Sequence, residues 1–269
     1  MCRILNQSFI TSEQEQSEAA RSFNRMSMDF LREQIRFSKT GVYSVDDANL
    51  AKQNVYSQPE VMRYYMVGLL LSYFLWPNHF QILSFFNTYI GQMPNIRSYL
   101  EIAPGHGLFT VEVMRRFPKL KPTLLDISET SLRVTGQVLA AFGVDASQYQ
   151  LINGDFMTVP VDGYNFDFIS MGEVLEHVND PKKFLEQAAC LLASRGTIFM
   201  SSCANCPAID HVYHFRNADE IRSLIKSAGL SIVSERSLII ENVPLEGCYK
   251  DLIPLNYCAI LKKESSKTG

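Results

Sequence analysis

The sequence predicts an α/β fold, with a doubly wound, mostly parallel sheet of seven strands that follows a helical N-terminal region. From residue 98 onward, short apolar stretches typical of buried strands alternate with amphipathic stretches typical of helices. No comparable series of strands precedes residue 97, where helix-forming residues dominate. The chain has 269 residues, of which 46% are hydrophobic, enough for a sizeable core. We therefore divide it into a helical region, 1–97, and an α/β domain, 98–269.

The N-terminal region contains three predicted long helices, and the connection SKTGVYSVDDANLAKQNVYSQPE is predicted to hold one short helix. The first lies in SEQEQSEAARSFNRMSMDFLREQIRF, and the second begins near Pro59 and ends at Trp76, before Pro77. The third lies in HFQILSFFNTYI. The second helix carries the most apolar run of the chain, Tyr64 to Pro77, which is too short to span a bilayer. This run favours a buried helix or a homodimer face over a membrane anchor.

The α/β domain contains seven predicted strands and four predicted helices. The helices are expected to cover both faces of the sheet, because strands that alternate with helices form parallel sheets. One helix ends at Gly143, and another is capped by Asn217. The strand segments are RSYLEIA, PTLLDIS, YQLINGD, FDFISM, RGTIFMSS, LSIVSERSLI and NYCAILKK, and the helix segments are GLFTVEVMRRF, ETSLRVTGQVLAAFG, DPKKFLEQAACLLA and NADEIRSLIKSAG.

The charge distribution and the N-terminus exclude several classes of protein. The formal net charge is -3, and no block of like charge is present, so the basic surface of a nucleic-acid-binding protein is not expected. The first residues, MCRILNQSFITSEQEQ, lack the apolar core of a signal peptide. We therefore expect a cytoplasmic protein without membrane attachment, in which the six cysteines are reduced.

A glycine-containing loop, LEIAPGHGLFT, joins the first strand to the next helix. In open parallel sheets, ligands bind beyond the carboxyl ends of the strands, and glycine lets a ligand approach the backbone. Gly105 and Gly107 therefore predict a binding loop. A nicotinamide cofactor would favour a third glycine where Thr110 stands. The acidic Glu101, just before the loop, suits a cationic ligand better than a pyrophosphate.

Acidic residues also end the second and third strands. Asp126 follows Glu101 by 25 residues and can accept hydrogen bonds from both hydroxyls of a ribose. Asp155 can accept from an adenine amino group, and the ring of Phe156 can pack on the base. Each acid could instead cap a helix. Because three acids stand at three successive strand ends, the pattern indicates a nucleoside-binding site.

The motifs resemble those of the class I S-adenosylmethionine-dependent methyltransferases, which have a Rossmann-like fold. LEIAPGHG is similar to the glycine loop of the family, LLDIS to its ribose-binding strand end, NGDF to its adenine-binding turn, FDFISMGEVLEHVNDP to its fourth strand and the following helix, and GTIFMSS to its fifth strand. The resemblance covers roughly residues 97–263. It implies Glu101, Ala103, Gly105 and Gly107 at the methionine part of the cofactor, Asp126 and Ile127 at the ribose, Asp155 and Phe156 at the adenine, and Met171 beside the cofactor.

One position departs from the family pattern, since Ala103 replaces a customary glycine. We expect Ala103 to adopt ordinary backbone dihedrals at a modest cost.

The resemblance implies in-line transfer of a methyl group from S-adenosylmethionine to an acceptor, with S-adenosylhomocysteine as the product. The helical N-terminal region is typical of enzymes that methylate small molecules, in which it forms a lid. We therefore expect a small-molecule acceptor, such as a secondary metabolite, enclosed by aromatic residues that include Tyr64, Tyr65 and Trp76. Two alternatives are a non-catalytic S-adenosylmethionine-binding module that acts through a partner, and a nicotinamide-dependent oxidoreductase.

Three histidines are candidate general bases. His177 follows the fourth strand, and His211 and His214 follow the fifth, so all three are expected near the carboxyl ends of the strands. We favour His211, because Asp210 and the adjoining loop can orient it. A metal site is not expected. Cys203, Cys206 and His211 have the spacing of a zinc knuckle, but Arg216 occupies the place of the fourth ligand.

Overall fold

The sheet of this protein contains seven strands in the spatial order β3-β2-β1-β4-β5-β7-β6. It is seen in a computed structural model that describes residues 9–159, 165–239 and 244–264. Residues 1–8, the first half of the N-terminal segment MCRILNQSFITSEQEQ, lie outside the described residues. The strands are β1 (Tyr99–Ile102), β2 (Thr123–Asp126), β3 (Gln150–Asn153), β4 (Phe166–Gly172), β5 (Leu192–Ala204), β6 (Leu230–Ile239) and β7 (Leu255–Lys263).

The pairing of the strands confirms the predicted mostly parallel sheet. β1 to β5 are all parallel to one another, whereas β7 is antiparallel to both β5 and β6. The chain runs outward from β1 to β3 and then returns to β4, which pairs with β1 on the other side. The strand order therefore reverses between β1 and β4, and a ligand site is expected beyond their carboxyl ends.

The helices occupy both faces of the sheet. The predicted helices of both regions are present. A short helix over Leu245–Lys250 was not predicted, because Pro244 directly precedes it and Gly247 lies within it. The helices are α1 (Glu13–Thr40), α2 (Ala48–Ala51), α3 (Pro59–Leu75), α4 (Pro77–Gln92), α5 (Leu108–Arg116), α6 (Glu129–Ala141), α7 (Pro181–Leu191), α8 (Ala218–Ser227) and α9 (Leu245–Lys250), and a single π-helical turn (Lys52–Tyr56) follows α2.

Local sequence signals explain where the N-terminal helices begin and end. Ser12 and Glu15 form a reciprocal capping box at the start of α1, and Gly41 ends this helix in a left-handed conformation. Pro59 and Pro77 occupy the first turns of α3 and α4, where a missing N–H costs nothing. The extended backbone of Trp76 separates these two helices.

The N-terminal helices and the sheet share one hydrophobic core. Phe86 of α4 packs against Phe109 of α5 and Phe199 of β5, with ring centroids 4.7 and 4.8 Å apart. α1 packs across α3, where Met26 contacts the backbone at Gly68. The other face of the sheet has a second core, to which α7, α8 and α9 contribute. No helix in the described part of the chain is both long and apolar enough to cross a bilayer.

Candidate active site

A cavity of about 740 Å³ lies beyond the carboxyl ends of β1, β2 and β4. Its floor comes from the loops after these strands, and its roof comes from α1, α2 and α3. Its volume is within the usual range for small-molecule sites, about 300–1,000 Å³. The predicted site residues among its lining are Tyr65, Trp76, Ala103, Gly105, Asp126, Ile127, Asp155, Phe156, His177 and His211.

The glycine loop has the backbone conformation that requires glycine. Gly105 and Gly107 have φ values of +55° and +74°, which favour residues without a side chain. A Cβ atom at Gly107 would lie 2.9 Å from Cγ2 of Thr135, so Gly107 lets the loop pack closely against α6. At Gly105, a Cβ atom would meet only Met66 Sδ, at 3.8 Å across the cavity, apart from the loop's own backbone. Gly105 therefore keeps this part of the cavity open.

Ala103 does not have the ordinary dihedrals that we expected. Its φ is +54°, in the left-handed region, which costs a non-glycine residue roughly 1–2 kcal/mol. The bend is fixed because the Ala103 N–H donates a hydrogen bond to the Leu125 carbonyl, at 2.8 Å. The loop therefore keeps the shape that a glycine would give it, and Ala103 bears the strain.

Glu101 lies beneath the glycine loop and does not line the cavity. Its carboxylate accepts hydrogen bonds from the hydroxyls of Tyr99, at 3.0 Å, and Thr110. Burial raises the pKa of Glu101 to about 7. In this structure the side chain therefore ties β1 to the first turn of α5.

Asp126 ends β2 with its carboxylate at the cavity. One oxygen accepts from the Ser128 N–H at 2.8 Å, and the other accepts from the Ser131 hydroxyl at 2.5 Å. Burial raises the pKa of Asp126, and the hydrogen bonds from Ser131 and Ser128 oppose this rise. Because these donors fix its orientation, the carboxylate presents its remaining lone pairs in a defined direction.

The residues expected at the adenine and beside the cofactor lie in different environments. Asp155 lines the cavity and accepts a hydrogen bond from the Met157 N–H at 2.9 Å. Phe156 is buried against Phe184, with ring centroids 4.7 Å apart. Met171 is fully buried in the sheet core, and its neighbour Gly172 lines the cavity instead.

Tyr65 and Trp76 line the cavity, whereas Tyr64 does not. The Tyr65 hydroxyl donates to Asp210 at 3.0 Å, within the cavity wall. The Tyr64 hydroxyl points to α1, where it donates to Asp29 at 2.8 Å. Tyr64 therefore joins two helices of the roof, and of the two tyrosines only Tyr65 can contact a bound molecule.

Asp210 contacts His177 and two tyrosines, not His211. Its side-chain oxygens accept from the hydroxyls of Tyr56, at 3.2 Å, and Tyr65, at 3.0 Å. His177 Nδ1 lies 3.5 Å from the Asp210 carboxylate, 3.1 Å from its backbone carbonyl and 2.9 Å from the Tyr56 hydroxyl. Our expectation that Asp210 orients His211 is therefore wrong, because the carboxylate faces the N-terminal helices.

His211 is oriented by the Cys206 carbonyl, which lies 2.5 Å from its Nδ1 atom. Since a carbonyl only accepts, Nδ1 carries the proton and Nε2 carries the lone pair. Burial lowers the pKa of His211 to about 4, so the ring is neutral at pH 7. His214 lies outside the cavity, packed against Tyr43 and hydrogen-bonded through Nε2 to Asn205 at 2.9 Å.

Two glutamates in the MGEVLEH segment were not predicted as site residues. Glu173 lines the cavity with a φ of +52°, and its Oε2 atom accepts from Asn256 at 2.9 Å. Glu176 is fully buried and accepts from the Ser202 hydroxyl at 2.7 Å. Burial raises the pKa of both carboxyls. The sequence signal that could have identified these two residues is the occurrence of two acids shortly after a predicted strand.

The N-terminal region contacts the loops of the sheet at the rim of the cavity. The Ala48 N–H donates to the Asn179 side chain at 2.8 Å, in the segment after β4. The Cys206 N–H, after β5, donates to the Tyr43 hydroxyl at 3.0 Å. The predicted lid therefore has hydrogen bonds to both loops that carry the histidines.

Part of the chain is similar to known methyltransferases. Residues 100–200 match the family model described as a methyltransferase domain. The demethylmenaquinone methyltransferase of Chlamydia felis is 25% identical over 111 residues, which are 41% of this chain and 46% of that protein. The match thus spans less than half the length of this curated relative.

Solved structures share the fold over a larger part of the chain. An O-methyltransferase family protein from Burkholderia thailandensis aligns with a TM-score of 0.60 at 12% identity, covering 98% of this chain and 76% of that one. The N-methyltransferase NodS from Bradyrhizobium japonicum, in complex with S-adenosyl-L-homocysteine, aligns with a TM-score of 0.58 at 14% identity, covering 82% and 100%. Residues 100–200 thus resemble a methyltransferase domain, and the chain shares the Rossmann-like α/β fold of these solved methyltransferase structures.

Proposed function

We propose that this protein transfers a methyl group from S-adenosylmethionine to a small-molecule acceptor. One observation carries the proposal: a single cavity is lined both by the glycine loop with Asp126 and by aromatic residues of the N-terminal helices. The first set suits a nucleoside cofactor, and the second suits an organic acceptor. Because both sets face the same space, the two molecules can meet there.

The residues at the carboxyl ends of β1 to β3 fit S-adenosylmethionine. The open space before Gly105 gives the methionine part access to the backbone. The oriented carboxylate of Asp126 can accept hydrogen bonds from ribose hydroxyls, and Asp155 can accept from the adenine amino group. When bound, the cofactor supplies a methyl group on a sulfonium, which the lone pair of an acceptor takes as the carbon–sulfur bond breaks, leaving S-adenosylhomocysteine.

The cavity wall above β4 and β5 suits the acceptor. Tyr65 and Trp76 enclose it with aromatic surface, which excludes water and favours a nearby positive charge. Holding the acceptor in line can supply up to roughly 7–11 kcal/mol of rate acceleration. If the accepting atom carries a proton, His177 or His211 can remove it, and such a base adds roughly 10²–10⁴-fold. His214 is not assigned a role, because it lies outside the cavity.

The experiment is incubation of the protein with S-adenosylmethionine labelled with a CD₃ group and with panels of phenols, alcohols, amines and acids. We expect a product heavier by one CD₃ group and an equal amount of S-adenosylhomocysteine. His211→Ala should lower the rate by roughly 100-fold or more if this ring acts on the acceptor, whereas His214→Ala should not.

Two outcomes would favour the alternatives. Tight binding of S-adenosylmethionine without turnover of any acceptor would indicate a binding module that acts through a partner. Reduction of NAD or NADP in the same panels would indicate an oxidoreductase. Either result would replace the proposal.

A further inference from the structure

The geometry points to a divalent metal ion site formed by Glu176, His177 and His211 at the wall of the cavity. One ligand atom from each residue lies within 4.8 Å of the other two. Three atoms bonded to one ion at about 2.0–2.2 Å lie roughly 3.3–3.8 Å apart. Side-chain adjustments of less than about 1 Å would therefore bring all three onto one ion.

Both histidines have the hydrogen bonds that orient metal ligands. The Nδ1 atom of His177 lies 3.1 Å from the Asp210 carbonyl, and that of His211 lies 2.5 Å from the Cys206 carbonyl. The carbonyl beside His211 accepts, so this ring holds its proton on Nδ1 and keeps its lone pair on Nε2. Nδ1 of His177 also lies 2.9 Å from the Tyr56 hydroxyl, and because that hydroxyl donates to Asp210, the same tautomer is assigned to His177. Backbone carbonyls commonly fix metal-binding imidazoles in this way. The two rings are perpendicular, with centroids 4.6 Å apart.

The carboxylates beside the histidines lack a positive partner. Glu176 is fully buried, and neither it nor Glu173 forms an ion pair among the residues that the structure describes. Oε1 of Glu173 is also buried without a hydrogen-bond partner there. Buried carboxylates normally bind a cation or become protonated. A divalent ion would compensate Glu176, and Glu173 is near enough to Glu176 for both to form a ligand cluster with Cys203.

Two imidazoles and one carboxylate favour a first-row divalent ion such as Mn²⁺, Co²⁺ or Zn²⁺ over Ca²⁺. His177 and His211 line the cavity whereas Glu176 lies behind them, so the remaining coordination positions would face the cavity. The role of the ion toward the acceptor rests on the proposed function. The ion would bind a hydroxyl or another oxygen of the acceptor and would lower the pKa of a bound hydroxyl, so that its proton leaves to water. The ion would then replace the imidazole base named above.

The test is titration of the chelator-treated full-length protein with Co²⁺ in the absence of S-adenosylmethionine, followed by visible absorption and calorimetry. We expect saturable binding of one ion per chain with d–d bands typical of nitrogen and oxygen ligands. His211→Ala and the isosteric Glu176→Gln should each weaken Co²⁺ binding at least about tenfold. His214→Ala is the matched control and should bind as the wild type does.

Circular dichroism and thermal unfolding show whether each variant is folded, and His177→Ala, at a partly exposed position, replaces any variant that is not. The proposal is wrong if the wild type shows no saturable Co²⁺ binding, or if a folded His211→Ala variant retains wild-type affinity for Co²⁺. Such a failure would leave methyl transfer unaffected, because the titration requires neither the cofactor nor turnover. If the wild type failed to bind the cofactor, the proposed function would be wrong, but the metal site would still be tested by the Co²⁺ titration.

Discussion

Replacing Asp126 by alanine should weaken binding of S-adenosylhomocysteine without unfolding the protein. Hydrogen bonds to an ionised carboxylate contribute about 1.5–3 kcal/mol each. The Ser131 hydroxyl already bonds one Asp126 oxygen, at 2.5 Å, so ribose binding partly exchanges one bond for another. The net loss is therefore about 2–3 kcal/mol, or roughly 30- to 150-fold in the dissociation constant. Isothermal titration calorimetry measures this difference directly.

Asp145 provides a matched control for this substitution. Its carboxylate also accepts from the N–H two residues later, at 2.9 Å, and from a serine hydroxyl, at 2.6 Å, but it does not line the cavity. Asp145→Ala removes the same kind of turn contact and should leave the affinity unchanged. If folded Asp126→Ala protein binds S-adenosylhomocysteine as tightly as the wild type, the ribose does not bind at the end of β2.

Three further predictions concern the roof, the loop and the pH dependence of stability. A Cβ at Gly68 would lie 2.8 Å from Met26 Sδ, so Gly68→Val should displace α1 and lower methyl transfer more than S-adenosylhomocysteine affinity. Gly91→Val, where a Cβ meets nothing within 4 Å, is the control, and equal effects would contradict the lid. Ala103→Gly should relieve the left-handed strain at φ +54° and stabilise the protein by about 0.5–1 kcal/mol in thermal unfolding. A lower midpoint would contradict this strain. Burial lowers the pKa of His79 to about 4, below its unfolded value of about 6.5, so the unfolded chain binds the proton first. Stability should therefore fall by up to about 3 kcal/mol between pH 7 and 4. In urea titrations at several pH values, His79→Gln should reduce that fall in stability. A variant whose stability has the same pH profile as the wild type would show that His79 does not cause the fall.

The positions of the strand-end residues were predictable because parallel strands end at one edge of the sheet. Asp126, Gly105 and Asp155 stand at or just beyond the carboxyl ends of β2, β1 and β3, and all three line the cavity. The conformation of Ala103 was not predictable in this way. Its φ is fixed by a hydrogen bond to Leu125 of the neighbouring strand, a long-range contact that no local pattern encodes.

The directions of side chains on the N-terminal helices were less predictable. Tyr64 and Tyr65 are adjacent on α3 and therefore point about 100° apart. The helix is apolar on most sides, so its sequence does not tell which tyrosine faces the cavity. The contact of Asp210 with Tyr56 and Tyr65 likewise depends on how the N-terminal helices pack over the loop after β5. Because the sequence does not show this packing, it could not indicate that Asp210 contacts His177 and not His211.

A crystal structure of the protein with S-adenosylhomocysteine tests the central claim most directly. We expect the ribose hydroxyls on the Asp126 carboxylate, the amino-acid end before Gly105, and the sulfur facing the space enclosed by Tyr65 and His177. Density for S-adenosylhomocysteine outside this cavity, or within it with the ribose away from Asp126, would show that the proposed cofactor site is wrong.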